Sequence, residues 1–408
     1  MTTAEPTTGN AEQPAAIDFP LPKASGCPFD PPPGLADLQR TEEITRVRLW
    51  DGSSPWLITG HQYVRELLQD SRISADALNP GFPFLVAGVR ELVRSMKPTM
   101  FRQDNPEHAR LRRMLTSDFM VKSAEAMRPD IQRHTDELLD RMTDGRSSAD
   151  LVADFALPLP STVICLMLGV PYEDHSFFEE RSTTLFSITA TAEEVRASQH
   201  DLLRYMEDIA RAKKEKPDDS IISRLVARGD LEYDEIASTA RLLVIAGHET
   251  TANMIALSTL ALLRNPDQLA RLRDDPSLIT GGVEELLRYL TIVHNGIPRV
   301  AASDIEIGGR VIKAGDGVLC MINTANRDER AFPDGHTLDV GRNARRHVAF
   351  GFGPHQCLGQ PLARVELQIA LGTLLRRLPK LRLDCSFEDI PLRQSTTVYG
   401  IGALPVAW

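Results

Sequence analysis

Apolar side chains recur at helical spacing along most of this chain. The longest unbroken helical pattern covers residues 233–263 and predicts a helix about 45 Å long, at roughly 1.5 Å per residue. Residues 129–227 show the same period, with breaks where glycine, proline and polar residues cluster. Because helical spacing dominates, we predict a mainly α fold.

Strand-like alternation is confined to short stretches that lie far apart in the chain. Residues 45–59 alternate around Asp51-Gly52, which is typical of a β-hairpin with an Asp-Gly turn. Residues 305–312 and 317–321 predict further short strands bounded by turn glycines. The predicted fold class is therefore mainly α with a small β region (α+β), in a single intertwined domain covering residues 26–408.

Composition and charge narrow the possible partners and the compartment. Residues 1–25 are rich in Thr, Pro, Ala and Glu and predict a disordered tail. The net charge of −10 argues against a nucleic-acid partner. Five cysteines, an odd number without paired spacing, indicate a reducing compartment. Since the first 26 residues contain no apolar run, we expect neither a signal peptide nor a membrane anchor, and we expect a cytoplasmic protein.

The segment from Phe350 to Gly359 holds three glycines, a proline and Cys357, directly before a helical pattern. Backbone N–H groups and the helix dipole would favour a thiolate there, and a thiolate can be an axial ligand to haem iron. Zinc is the other metal to consider, but His355 and Cys357 supply only two of the four ligands of a structural site. The other cysteines fit the role of small buried hydrophobic residues: Cys27, Cys165, Cys320 and Cys385.

The middle of the predicted long helix carries residues that do not favour a helix. Gly247 costs roughly 1 kcal/mol in a helix interior, and the β-branched pair Thr250-Thr251 adds to this penalty. Such exceptions are expected where function requires them. The alternative is structural, with the glycine at a helix contact and the threonine hydroxyls bonded to i−4 carbonyls.

Phe350, Gly351, Gly353, His355, Cys357 and Gly359 stand at a spacing that resembles the haem-ligand signature of the cytochrome P450 monooxygenases. The run Ala246-Gly247-His248-Glu249-Thr250-Thr251 resembles the oxygen-activation motif of the same family. The resemblance extends over residues 28–408 and implies the P450 fold, with haem b between the long central helix and the cysteine loop. It implies that Cys357 binds the iron, that dioxygen is a co-substrate and that Thr250 and Glu249 deliver protons. Ala246 and Gly247 would leave space for dioxygen.

The resemblance also implies roles for residues outside these two motifs. His108 and Arg112, four residues apart on one helical face, would bind the haem propionates together with Arg299 and His355. Phe350, Gly351 and Gly359 would shape the loop around the cofactor. Glu285 and Arg288, spaced i,i+3, would form an ion pair that Arg342 joins to stabilise the core behind the haem.

Four loops are predicted to contact the substrate. The segment 74–99 shows no sustained helical repeat and carries aromatic residues, although plain packing would explain it equally well. An aromatic stripe near Phe186 is open to the same alternative, as a core stripe. The candidate pocket residues are Phe82, Phe84, Val86, Phe186, Val293, Asn295, Ile297, Thr396, Thr397 and Val398.

These features predict a monooxygenase that oxidises a bulky, largely apolar metabolite such as a macrolide. Too few residues follow Cys357 for a fused flavin or iron–sulfur domain, so we expect electrons from a separate ferredoxin. Its predicted docking surface is Arg110, Arg113, Arg345, Arg346 and Arg364. We expect a monomer. The alternatives are a haem-thiolate enzyme of another class, such as a nitric-oxide reductase or peroxygenase, and a haem sensor or helical interaction protein without catalysis.

Overall fold

Helices make up most of the chain in the computed structural model, which describes residues 17–22, 29–95, 97–187, 189–393, 396 and 398–408. The α-helices among these residues are α1 (Pro33–Thr41), α2 (His61–Gln69), α3 (Ala87–Ser95), α4 (Glu107–Thr116), α5 (Val121–Ala126), α6 (Arg128–Thr143), α7 (Pro158–Leu168), α8 (His175–Phe186), α9 (Ala192–Glu215), α10 (Ile221–Arg228), α11 (Tyr233–Arg264), α12 (Pro266–Asp274), α13 (Ile279–Leu290), α14 (Ile322–Ala325) and α15 (Gln360–Arg377). The predicted mainly α character is confirmed.

The strands are short and pair in four small sheets. They are β1 (Ile17–Asp18), β2 (Ile44–Arg48), β3 (Trp56–Ile58), β4 (Ile73–Ser74), β5 (Ser148–Asp150), β6 (Ile297–Ala301), β7 (Ile305–Ile307), β8 (Arg310–Ile312), β9 (Gly317–Cys320), β10 (Arg382–Leu383), β11 (Leu392–Arg393), β12 (Gly400–Ile401) and β13 (Pro405–Ala407). The largest sheet has six strands in the order β1-β2-β3-β9-β6-β4, and the others are β10-β13-β5, β11-β12 and β7-β8.

The six-stranded sheet combines distant segments of the chain, as the sequence predicts. Strands β2 and β3 form the expected hairpin, in which Thr45 pairs with Leu57. Strand β9 then pairs in parallel with β3, aligning Leu57 with Leu319. On its other side β9 pairs antiparallel with β6, and this register places Arg299 beside Val318. The sheet thus carries a predicted cofactor-binding arginine on β6, a strand paired on both sides, and the Arg299 side chain is buried.

Helix α11 lies at the centre of the helical core. It begins with a capping box in which Glu232 and Glu235 bond each other's backbone N–H groups. It packs against α7, α9 and α15, and most of its apolar side chains are buried. Burial on several sides allows a 32-residue helix to tolerate an interior glycine. Its observed bounds differ from the predicted ones by one residue at the C-terminal end.

Two predictions about irregular segments are wrong in part. Residues 1–25 were expected to form a disordered tail, but Ile17 pairs with Val47 in β1, and Phe19 is buried against Leu35. Within the segment 74–99, α3 forms a helix of nine residues, which is too short to give a clear repeat in the sequence. Val89 and Val93 of α3 pack on a small apolar cluster at the spacing of one helical turn. The single domain over residues 26–408 stays a prediction.

Candidate active site

The cysteine loop depends on two glycines with left-handed backbone. Gly351 has φ +70° and Gly353 has φ +72°, a conformation that other residues rarely adopt. A Cβ at Gly353 would overlap the carbonyl oxygen of Leu68, so the loop lies directly on the end of α2. The loop closes where the N–H of Cys357 donates to the carbonyl of Phe350 at 2.8 Å. This geometry presents Cys357 just before the first turn of α15.

The Cys357 thiol faces an internal space. Its side chain is accessible to a water-sized sphere. Protein atoms nevertheless surround it, and this burial raises the pKa of the thiol. A group that is both accessible and surrounded lines a cavity. The backbone N–H groups of Gly359 and Gln360 donate to the sulfur, and together with Arg112 they oppose that shift without reversing it. The N–H groups therefore act on the thiol pKa in the predicted direction, but in the protein alone burial outweighs them. A bound metal ion would deprotonate the thiol directly.

Helix α11 has one open stripe in an otherwise buried surface. Ala246 is exposed, and Leu242 and Thr250, one turn before and one turn after it, are only half-buried. Val244, His248 and neighbouring side chains on the other faces are buried. An exposed alanine in the middle of a core helix indicates an internal cavity beside it.

Both features of the structural alternative for the helix motif are observed, a threonine bonded to an i−4 carbonyl and a glycine at a helix contact. The Thr250 hydroxyl donates to the carbonyl oxygen of Ala246 at 2.6 Å, which is an i−4 back-bond. A Cβ at Gly247 would lie 3.2 Å from Cδ1 of Ile164 on α7. Gly247 therefore serves the contact between α7 and α11, whereas space for dioxygen was expected there. Thr250 remains on the open stripe, where its oxygen can still accept a hydrogen bond.

Glu249 is buried in a polar network. Its side chain is 4% exposed and forms an ion pair with Arg393, in which Nη1 and Oε2 are 3.2 Å apart. The hydroxyl of Thr183 donates to Oε1 at 3.1 Å, and the amide of Asn253 donates to Oε2 at 3.3 Å. The sequence identified the carboxylate but none of these three partners. A buried, multiply bonded carboxylate is suited to hold a proton or pass it on.

The four predicted propionate-binding residues come together from three parts of the chain. The rings of His108 and His355 stack with their centroids 4.0 Å apart, and Arg112 Nη2 donates to the carbonyl of Gln356 at 2.7 Å. Burial, together with the nearby charges of Arg299, His108 and Arg112, lowers the pKa of His355 to about 3. An anion bound among these basic groups would stabilise their positive charge.

Arg102 belongs to the same cluster and was missed by the sequence analysis. Burial and the nearby charge of Arg299 lower its pKa to about 10, and its Nη1 is buried without a hydrogen-bond partner. Its guanidinium lies 5.5 Å from the ring centre of Phe82. Arg102 stands six residues before His108 but outside the helix that carries it, so no spacing in the sequence indicated its role. We define the basic cluster as Arg102, His108, Arg112, Arg299 and His355.

The three residues predicted to stabilise the core are in contact: Glu285, Arg288 and Arg342. Arg288 binds Glu285 through two hydrogen bonds, of 2.7 and 2.8 Å, and both side chains are fully buried. Arg342 Nε lies 3.2 Å from Oε1 of Glu285. The remaining donors of Arg288 bond the carbonyl oxygens of Asn326 and Gly335, each at 2.7 Å. A buried ion pair is tolerated when its guanidinium N–H groups all find hydrogen-bond acceptors, because unpaired buried donors are costly.

The candidate pocket residues divide into those at an open surface and those packed in a core. Val293, Asn295 and Ile297 are half-buried and alternate with buried residues, so they share one side of their segment. Phe82 and Phe84 pack against each other with ring centroids 4.9 Å apart, and both are about as buried as core residues. The prediction that these two rings line an open pocket is therefore wrong, because they form the small core beneath their loop.

The remaining candidates lie near the ends of α8 and the C-terminal hairpin. Val86 is half-buried and Val398 is buried. Thr396 forms an isolated bridge with Ser187, just after α8. Phe186 is the last residue of α8, and its side chain lies outside the described part, as do Thr397 and Cys27.

Two of the five predicted docking arginines have internal partners. Arg364 binds Glu284 through Nε at 2.6 Å and Nη2 at 3.0 Å. Burial alone would raise the pKa of Glu284, but the hydrogen bonds from His347 and Arg364 lower it to about 2. Arg110 is paired with Glu235 at 2.8 Å. Charge on these two is therefore largely neutralised within the protein.

The other three docking arginines, Arg113, Arg345 and Arg346, are exposed. A partner protein could therefore reach these three arginines of the predicted docking surface.

A flat, dianionic, metal-containing cofactor fits these observations. The cavity lies beside the open stripe of α11, the thiol of Cys357 lines an internal space, and the basic cluster includes a guanidinium nitrogen without a partner. Haem supplies an iron for the sulfur and two carboxylates for the basic cluster. Fold and site together are those of a helical haem-thiolate protein.

The chain belongs to the cytochrome P450 family, whose family model it matches over residues 39–401. It is 65% identical to cytochrome P450-SU2 of Streptomyces griseolus, with 100% of each chain covered. It is 41% identical to 20-oxo-5-O-mycaminosyltylactone 23-monooxygenase of Streptomyces fradiae, over 95% of this chain and 92% of that protein. The predicted family and the enzyme class, a P450 monooxygenase, are thereby confirmed.

Solved structures confirm the predicted fold. The mycinamicin VIII C21 methyl hydroxylase MycCI of Micromonospora griseorubida, bound to mycinamicin VIII, superposes with a TM-score of 0.90. The match covers 96% of this chain and 100% of that chain, at 38% identity. Membership of the family implies that the enzyme uses haem iron and dioxygen, a small-molecule substrate and a redox partner protein. Among the described residues, no helix is both long and apolar enough to cross a membrane.

Proposed function

We propose that this P450 monooxygenase inserts one oxygen atom of dioxygen into a C–H bond of a bulky, largely apolar secondary metabolite, with a macrolide as the leading class. The second oxygen atom leaves as water, with electrons from a separate ferredoxin and its reductase. The observation that carries the proposal is the acid and alcohol pair Glu249-Thr250 on the helix that borders the cavity. Two relatives whose names or ligands indicate macrolide-type substrates support the substrate class. We propose a cytoplasmic monomer that contains haem b.

Each part of the site has a task in this proposal. Haem, when bound, would supply the reduction of dioxygen and the oxidation of the substrate C–H bond. Cys357 would hold the iron through its sulfur, and the basic cluster would neutralise and orient the propionates. Thr250 would hold a proton at Oγ1 beside the cavity, and Glu249 would pass protons to it from the polar network. General-acid catalysis of this kind is typically worth about 10²–10⁴-fold.

Product analysis tests the reaction class. The purified holoenzyme is supplied with a surrogate ferredoxin, ferredoxin reductase, NAD(P)H and macrolides that shift its absorption spectrum on binding. The expected result is a product heavier by one oxygen atom, with the label retained when ¹⁸O₂ is used. Consumption of nitric oxide, or product formed with peroxide but never with dioxygen and ferredoxin, would contradict the proposal and support the other haem-thiolate classes. The substrate class is tested separately, by repeating the assay with apolar metabolites that are not macrolides.

Arg102 is expected to bind a haem propionate. Replacing Arg102 with alanine should speed the transfer of haem to apomyoglobin about tenfold, because one charge-assisted hydrogen bond to a carboxylate is lost. Arg94→Ala is the matched control, since Arg94 is exposed at the end of α3. Haem transfer as slow in Arg102→Ala as in the control would exclude Arg102 from the propionate site.

The exposed arginines are expected to guide the ferredoxin. Reversing Arg113 and Arg346 to glutamate should slow reduction by an acidic ferredoxin about tenfold at low salt, mainly through the association rate. Substrate-binding spectra should not change. The control pair is Arg376 and Arg382, two exposed arginines at or beyond the far end of α15, where reversal should leave the rate unchanged. If the wild-type enzyme were reduced at a rate independent of salt concentration, electrostatic docking of the ferredoxin at these arginines would be excluded.

A further inference from the structure

The C-terminal hairpin contacts the central helix at Glu249. Strands β11 and β12 pair through Leu392 with Ile401 and Arg393 with Gly400. From β11, Arg393 extends to Glu249, and its Nη1 lies 3.2 Å from Oε2 and 3.5 Å from Oε1. The Arg393 side chain is 23% exposed and the Glu249 side chain only 4%. A partly solvated guanidinium thus covers a carboxylate that water reaches poorly.

A second contact of the hairpin lies one helical turn further along α11. A Cβ at Gly400 would overlap the side-chain amide of Asn253, so the β12 backbone lies directly on this residue. Asn253 in turn donates to Oε2 of Glu249 at 3.3 Å. Both strands of the hairpin therefore reach the Glu249 carboxylate. Strand β11 contacts it directly through Arg393, and β12 contacts it indirectly, through Asn253.

The end of α8 joins the same network. Thr183 of α8 donates to Oε1 of Glu249 at 3.1 Å, and Ser187, just after α8, bridges to Thr396 at the tip of the hairpin. Both segments carry candidate substrate-contacting residues. Glu249 is thus bonded by residues of α8, α11 and β11, and among the described residues that bond it Arg393 is the one cation.

The charges around Glu249 make that cation important. Glu179 on α8 interacts unfavourably with Glu249, which contributes to a raised pKa of Glu179 whose main cause is burial. His248, next to Glu249 on α11, has its pKa lowered to about 3 by burial and by the charge of Arg393, so it is neutral and offers no positive charge. A carboxylate buried beside a second carboxyl group is bonded most strongly when a cation is among its hydrogen-bond donors. Arg393 supplies that cation.

We propose that Arg393 is a positioning residue for proton delivery, which holds the Glu249 carboxyl group in a fixed orientation where the C-terminal hairpin meets α11. The ion pair links the hairpin whose tip is predicted to contact substrate with the residue that passes protons. The inference rests on the proposed role of Glu249, and it adds a residue from outside both sequence motifs. Loss of the guanidinium leaves Glu249 held by two neutral donors, Thr183 and Asn253. Proton delivery is then less efficient, because the carboxyl group is less firmly oriented.

The test measures coupling, as peroxide released per NAD(P)H consumed, in holoenzyme variants with a bound substrate. Arg393→Met removes the charge and keeps most of the side-chain volume, and it should raise peroxide release about tenfold. Arg393→Lys retains a cation and should restore at least half of the coupling. Arg377→Met is the matched control, because Arg377 has similar exposure and is paired with Asp136 and Asp140 far from Glu249 in the chain. Its coupling should equal that of wild type.

A double variant separates positioning from a structural role. If Arg393 acts through Glu249, then Glu249→Gln combined with Arg393→Met should be no less coupled than Glu249→Gln alone. A purely structural effect of Arg393 would add to the loss. Each variant is first checked for the spectrum of its reduced carbonyl complex, and Arg393→Gln replaces Arg393→Met if the methionine variant does not bind haem.

Three results would overturn the proposal in distinguishable ways. Wild-type coupling in Arg393→Met, beside uncoupling in Glu249→Gln, would exclude Arg393 and leave the proposed role of Glu249 in place. Wild-type coupling in Glu249→Gln would exclude Glu249 from proton delivery, and the role of Arg393 with it. An additive loss in the double variant would also exclude positioning through Glu249.

Discussion

Replacing Cys357 with alanine is expected to abolish the red-shifted Soret band of the reduced carbonyl complex and to reduce substrate oxidation below detection. The sulfur is the atom in this loop that can supply a thiolate to iron. The nearest side chain of a metal-binding type in the loop, His355, is stacked on His108 at 4.0 Å and occupied in the basic cluster. Absorption spectra of the reduced protein with carbon monoxide measure the ligand directly.

The other cysteines provide controls within the same chain. Cys165 and Cys320 are buried, and burial raises the pKa of each thiol to about 12, so both are protonated and packed as small apolar side chains. Cys165→Ser and Cys320→Ser should keep the thiolate band, with losses confined to stability. A red-shifted band that persists in Cys357→Ala would show that another residue binds the iron.

Replacing Thr250 with alanine is expected to leave haem binding and the first reduction intact while most reducing equivalents are lost as peroxide. The hydroxyl acts only once dioxygen has bound, so steps before that point do not depend on it. We expect product formed per NAD(P)H to fall about tenfold or more, within the range of general-acid effects. Peroxide release and product are measured together at saturating substrate.

The geometry of Thr250 makes a matched control necessary. Its hydroxyl donates to Ala246 at 2.6 Å, and Thr259 makes the same i−4 bond to Ile255 at 2.9 Å in the buried part of α11. Thr259→Ala therefore removes an equivalent back-bond away from the open stripe and should not change coupling. Thr250→Ser should restore much of the coupling. If Thr250→Ala and Thr259→Ala lowered coupling equally, the role of Thr250 would be structural and it would have no part in proton delivery.

Local patterns in the sequence were enough to predict several parts of the molecule. The period of α11, the Asp-Gly hairpin of β2 and β3, and the i,i+3 spacing of Glu285 and Arg288 depend on neighbours within a few residues. The family motifs predicted which segments would carry the chemistry, and the fold and family were confirmed. Short elements such as β1 and α3 were missed, because two strand residues or nine helical ones give a weak periodic signal.

By itself, the sequence determined the long central helix, the glycine-rich cysteine loop and the acid and alcohol pair, since these depend on residue types at short range. The tertiary structure decided which groups meet. It brought Arg102 into the basic cluster, paired Arg364 with Glu284 and placed Arg393 on Glu249, across separations that no local pattern encodes. It also reversed the expected shift of the Cys357 pKa, because burial depends on every segment that surrounds the thiol and outweighs the few N–H groups beside it.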